Sequence, residues 1–232
     1  MSAKKQGRRT RKRAIRSIDE IALLLSNVES EPVACLRALQ EPLARLSMAI
    51  AIFEAAESAD AVEVGPLRTV KNQLRPLMQL VSERNVTAPP FSPDFRQRLG
   101  YSLGVLAAMR TRLGASSARL KTKPILTLAT SHFVDFSERW SCFRSDPTLT
   151  NLQNLNESCR HLGLIYSCIG IANSEHRFKG HLALCELLEK ALDREGTLSD
   201  VPALMRKITT AANQLARPTQ AEHRDWLRTQ IG

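Results

Sequence analysis

The chain has 232 residues, a formal net charge of +10, 43% hydrophobic and 24% charged residues, and 5% aromatics. That balance suits a globular chain with a sizeable core, one domain or two smaller ones, and excludes general disorder. Five cysteines at irregular positions, 35, 142, 159, 168 and 185, are too sparse for a small secreted disulfide scaffold and point to a reducing cytoplasm, or to the nucleus in a eukaryote.

From the N-terminus, Lys4, Lys5, Arg8, Arg9, Arg11, Lys12, Arg13 and Arg16 place eight cations in the first sixteen residues with no acid among them. The tract lacks the apolar content that would offset ordering entropy, so residues 1–16 read as a disordered basic tail. Cationic side chains on such a tail suit a phosphate backbone, since they release counterions on binding without reading bases. A solubilising tail, a nuclear-localisation address and contact with an anionic membrane surface are the competing readings. The following "AIRSIDEIALLLSN" carries two acids where a signal peptide would be uninterrupted. A transit peptide shares the Arg-rich, acid-free start but needs more Ser and a fuller apolar face. The longest apolar runs, "MAIAIFEAA" and "LGLIYSCIGIA", are too short to span a bilayer, and no membrane insertion is expected.

Charge is segregated along the chain. Residues 1–16, 17–64, 65–134 and 135–232 balance at +8, −7, +9 and 0. Focused charge attracts a polyanion, whereas interspersed charge cancels beyond a Debye length. The acidic stretch 17–64 is a candidate surface for a protein partner, or it packs against the basic segment and neutralises part of it.

Helical residues dominate, and period-2 runs of β-branched residues are missing, so the fold class is all-α. Ser17 with Glu20 has capping-box spacing, and Pro32, Pro66, Pro93, Pro124 and Pro147 suit first helical positions. Pro42 and Pro76 fall inside helical patterns and should kink or divide them. Further starts near Ser174, Ser199 and Thr219 bring the expectation to about eight or nine helices in a single irregular bundle over 17–232. A break is expected at "TAPPFSPD", around 87–93.

Within 65–134, Leu67, Val70, Leu74, Leu77 and Val81 form an apolar stripe, and Arg68, Lys71 and Arg75 share the adjacent face. Arg96, Arg98, Arg110, Arg112, Arg119, Lys121 and Lys123 follow, with Arg96/Arg110 and Arg98/Arg112 each near four turns apart. Only Glu83 and Asp94 oppose these cations, so a basic nucleic-acid-binding surface is expected here. No helix-turn-helix spacing accompanies it, and Phe91, Phe95 and Tyr101 are its only stacking candidates, so backbone contact without base readout is the expectation.

Further on, Phe133, Phe136, Trp140 and Phe143 recur at helical spacing, as do Leu152, Leu155, Cys159, Leu162, Ile165 and Ile169. Both stripes read as core. Cys159, His161, Cys168, His176, His181 and Cys185 crowd within 27 residues, but no CxxC pair exists and the cysteines fit apolar positions, so packing is expected and no metal or cofactor. Phosphate-loop, dinucleotide, nucleophile-elbow and zincin motifs are missing, and paired acids stand beside Lys or Arg as solvated helix faces. The reading is a non-enzymatic nucleic-acid-binding protein, DNA or RNA, suited to a subunit of a nucleoprotein complex. Its alternative is a helical adaptor, effector or regulator whose basic tail is an address or a solubility element.

Overall fold

Every regular element is helical in the computed structural model, which describes residues 3–55, 93–115, 120–172, 174–193 and 201–231. Among the described residues there are nine helices and no strand: α1 (Ala3–Ser26), α2 (Pro32–Ala38), α3 (Gln40–Ala55), α4 (Pro93–Ala115), α5 (Thr122–Ser145), α6 (Leu149–Ile169), α7 (His176–Leu192), α8 (Pro202–Ala216) and α9 (Gln220–Ile231). The all-α expectation is met. The chain divides into two compact units, one Lys4–Leu120 and the other taking in Lys121–Gly232. The proline-rich break at 87–92, Pro66, Pro76 and the stripe from Leu67 to Val81 lie outside the described residues.

The expected disordered tail over 1–16 is corrected for residues 7–16, which are helical and in part buried. Arg and Lys are good helix formers. Thr10, Ala14, Ser17, Ile18, Ile21 and Leu25 are all buried and share one side of α1, so packing supplies the stabilisation that composition concealed. Ser17 and Glu20 accordingly lie in mid-helix and form no capping box. Pro42 acts as expected in a specific way. Its ring has no N–H to offer the carbonyl of Ala38, and α2 ends at Ala38 before α3 resumes at Gln40.

The second unit is built around the two stripes. Phe133, Phe136, Trp140 and Phe143 of α5 are buried, as are Leu152, Leu155, Cys159, Leu162, Ile165 and Ile169 of α6. Helices α5, α6, α7 and α8 pack each on the next, α8 closes back on α5, and α9 lies on α5. Trp140 ties the closure by donating its Nε1–H to Asn213 Oδ1 at 3.1 Å. Side-chain and backbone caps set the boundaries. Thr148 Oγ1 accepts from the N–H of Asn151 at the start of α6, and α6 ends on Gly170, whose φ of 85° suits glycine. Glu175 caps α7, and Thr219 with Glu222 forms the capping box of α9. The starts expected at Pro147 and Ser174 thus shift by one or two residues to the groups that hold the free N–H donors.

Candidate nucleic-acid interface

At 100° per residue, Arg8, Lys12, Arg16 and Arg9 fall within about 100° of arc on α1, and all four are exposed. The buried stripe from Thr10 to Leu25 occupies the opposite side. With a rise of 1.5 Å per residue, Arg8 and Arg16 stand about 12 Å apart along the axis, so the four charges fall within roughly one Debye length and their fields add. Arg13 is half-buried and Arg11 is buried, so neither belongs to the exposed set that the tail reading assumed. Lys4 and Lys5 have their backbone in α1, and their side chains lie outside the described residues.

The next turn of α1 reverses the sign. Glu20 takes the Nε–H of Arg16 at 3.0 Å and also pairs with Arg45 of α3. Asp19 accepts from Arg110 Nε at 2.6 Å, and beyond the helix Glu29 accepts from Arg96 Nε at 2.7 Å. The hydrogen bond and charge of Asp19 hold the Arg110 guanidinium still more firmly protonated. Acids from 17–64 therefore neutralise part of the basic segment, one of the two roles read from the sequence for that stretch. Because Arg96 meets Glu29 while Arg110 meets Asp19, α4 runs antiparallel to α1. Arg112 is exposed in the last turn of α4.

The remaining sequence candidates separate. Arg98 is exposed on α4, while Lys121 and Lys123, also exposed, belong to the second unit at the start of α5. Arg68, Lys71, Arg75 and Arg119 lie outside the described residues. The structure thus brings Arg8, Arg9, Lys12 and Arg16 together on one face, with Arg16 already paired to Glu20, and turns Arg96 and Arg110 onto carboxylates as well. Of the stacking candidates, Tyr101 is 54% exposed on α4, while Phe91 and the Phe95 side chain lie outside the described residues.

Cys159, Cys168, His181 and His223 of the second unit are packed as core, while Cys142 and His176 are exposed. Cys159 Sγ lies 3.3 Å from Cys185 Sγ and 3.6 Å from His181 Nδ1. The contact with Cys185 and burial raise the Cys159 thiol well above its usual range, and burial first, then His223, pulls His181 down to about 3. Both shifts favour neutral partners, whereas a nucleophilic Cys–His pair needs thiolate and imidazolium. Among the described residues, no three His, Cys, Asp or Glu side chains are placed to share a metal ion. His161 and His132 meet edge to face instead, with ring centroids 6.1 Å apart.

Neither a family model nor a curated protein nor a solved structure matches this chain. Its own side chains therefore carry the functional reading. The feature that sequence reasoning missed is the shared face of α1. A helical wheel over residues 7–25 separates the four exposed cations from the buried stripe, and that signal is visible as soon as the tract is drawn as a helix.

Proposed function

We propose that this protein is a non-enzymatic nucleic-acid-binding helical protein, a subunit of a nucleoprotein complex, that contacts the phosphate backbone through the cationic face of α1. The observation that carries the reading is the joint exposure of Arg8, Arg9, Lys12 and Arg16 on one face of a helix whose opposite face is buried. Cations held in a row on a packed helix lose little conformational entropy on meeting phosphates, whereas the same residues on a free tail must be ordered first. Four long cations with no aromatic among them give charge recognition and no base readout.

The test is a titration of the full chain against duplex DNA, single-stranded DNA and RNA at several salt concentrations. Wild type is expected to bind duplex with a steep salt slope. The quadruple variant R8Q/R9Q/K12Q/R16Q is expected to flatten that slope by roughly three to four units, about 0.9 for each phosphate no longer neutralised. These side chains are exposed, so the helical circular dichroism should be retained. Absence of salt-dependent binding by the wild type sinks the reading. That result would favour the helical adaptor or regulator, for which Leu23, 64% exposed on the same face of α1, is the specific support.

A further inference from the structure

A cleft of 760 Å³ lies in the second unit between α7, α8 and the start of α9. Its apolar lining is Ala183, Ala211 and Leu215, and Gly180 lets α8 approach so near that an added Cβ would come within 3.1 Å of Leu215 Cδ2. Its rim carries Arg177, Lys179 and Arg217, three permanent cations, with His176 beside them and one carboxylate, Glu222. That carboxylate is engaged. It accepts from the Thr219 N–H at 2.7 Å and from Thr219 Oγ1 at 3.0 Å, and these bonds, followed by the nearby Arg177 and Arg217 charges, hold it below the usual carboxylate range.

Arg177 is positioned by a relay of specific contacts. One oxygen of Glu175 accepts from the N–H groups of Arg177 and Phe178 at 2.8 and 3.2 Å, and the other accepts from Trp226 Nε1 at 3.2 Å. The indole so held receives the Arg177 guanidinium over its ring, 4.9 Å from the centroid. The guanidinium is thereby oriented, yet its Nη1 is buried and has no hydrogen-bond partner. Arg177 also lines the cleft, so an oxyanion there would meet its positioned guanidinium in a charge-assisted bond.

We propose that this cleft binds a small organic oxyanion, a carboxylate or phosphate monoester on an apolar body, with the oxygens on Arg177 and Arg217 and the body over Ala183, Ala211 and Leu215. Its volume lies in the range of small-molecule sites, which combine an apolar lining with a few converging polar groups. The site is independent of the α1 face, since all its residues belong to the second unit.

Binding is measured on the full ¹⁵N-labelled chain by following the indole N–H resonance of Trp226, which reports directly on the Glu175–Trp226–Arg177 relay. The probes are phenyl phosphate, benzoate, inorganic phosphate and phenol. Both aromatic anions should shift the resonance saturably, and the tighter of them identifies the head group. Phenol, which lacks the charge, and inorganic phosphate, which lacks the apolar body, should each bind about tenfold more weakly or worse. Arg217→Gln should weaken the anions about tenfold. Ala183→Trp, at an exposed lining position, should abolish the shift by filling the cleft without changing its charge. Circular dichroism of both variants verifies folding. The proposal is overturned if neither anion moves the resonance, if phenol binds as tightly as the anions, or if folded A183W binds like wild type.

Discussion

The Tyr166 hydroxyl and His223 Nε2 share a hydrogen bond of 2.6 Å while the imidazole stacks on Phe133, with centroids 4.0 Å apart. Burial first, and then the nearby Arg177 charge, holds His223 down to about 3, close to the value that burial and His223 impose on His181. Both histidines begin from 6.5 in the unfolded chain, so between pH 6.5 and 3 the unfolded state binds protons that the folded state refuses. Stability is therefore fully present above pH 6.5 and is lost as pH falls toward 3, by roughly 2 kcal/mol for each histidine at pH 5. Urea midpoints at pH 7.5 and pH 5 would register this loss, and His181→Leu should remove about half of it. A midpoint unchanged between the two pH values would show that the imidazoles titrate freely. None of this pairing was legible in the sequence. Tyr166 and His223 are 57 residues apart, and spacing within one helix carries no information about partners on another.

Helix α1 combines two faces, and its buried one decides what its charged one can do. Ile18 and Ile21 have essentially no exposure, so Ile18→Ala should cost about 2–5 kcal/mol, the usual cost of truncating a fully buried aliphatic side chain. Neutralising Arg8, Arg9, Lys12 and Arg16 should leave the urea midpoint almost unmoved, because those side chains project into solvent. The contrast is measurable by urea denaturation. Equal destabilisation from both sets would show that the cations hold the helix in place and are not held out by it. The stripes of α5 and α6 were readable in the sequence because apolar residues at three- and four-residue intervals have one natural destination. The basic tract hid its stripe: Thr10, Ala14 and Ser17 are small or polar, so composition predicted disorder where packing makes a helix.

At the scale of the molecule, the division at Leu120/Lys121 gives the second unit a core of its own. That core includes Phe133, Phe136, Trp140 and Phe143 from α5, Leu152 to Ile169 from α6, and Leu184, Ile208 and Leu227 from α7, α8 and α9. A fragment spanning 121–232 is expected to be helical by circular dichroism and to melt in one cooperative transition. A broad, non-cooperative loss of ellipticity from the fragment would mean that the unit needs the rest of the chain to fold. Sequence reading marked a break inside one helical domain at the prolines of 87–93, because proline interrupts helices visibly. The boundary at 120–121 follows from which apolar faces meet, and local sequence does not mark that.

Read alone, the sequence determined the helical class, the buried stripes of α5 and α6, the interruption by Pro42 and the segregation of charge. Each depends on periodicity, backbone chemistry or composition over neighbouring residues, and these are local properties of the polymer. Tertiary structure alone decided that Arg96 and Arg110 meet Glu29 and Asp19, that the opposite face of α1 is buried, and that Arg177 rests on Trp226 at the edge of a cleft. Those arrangements depend on which faces bury against one another, and distance in space between residues remote in sequence is set by the packing of the whole unit.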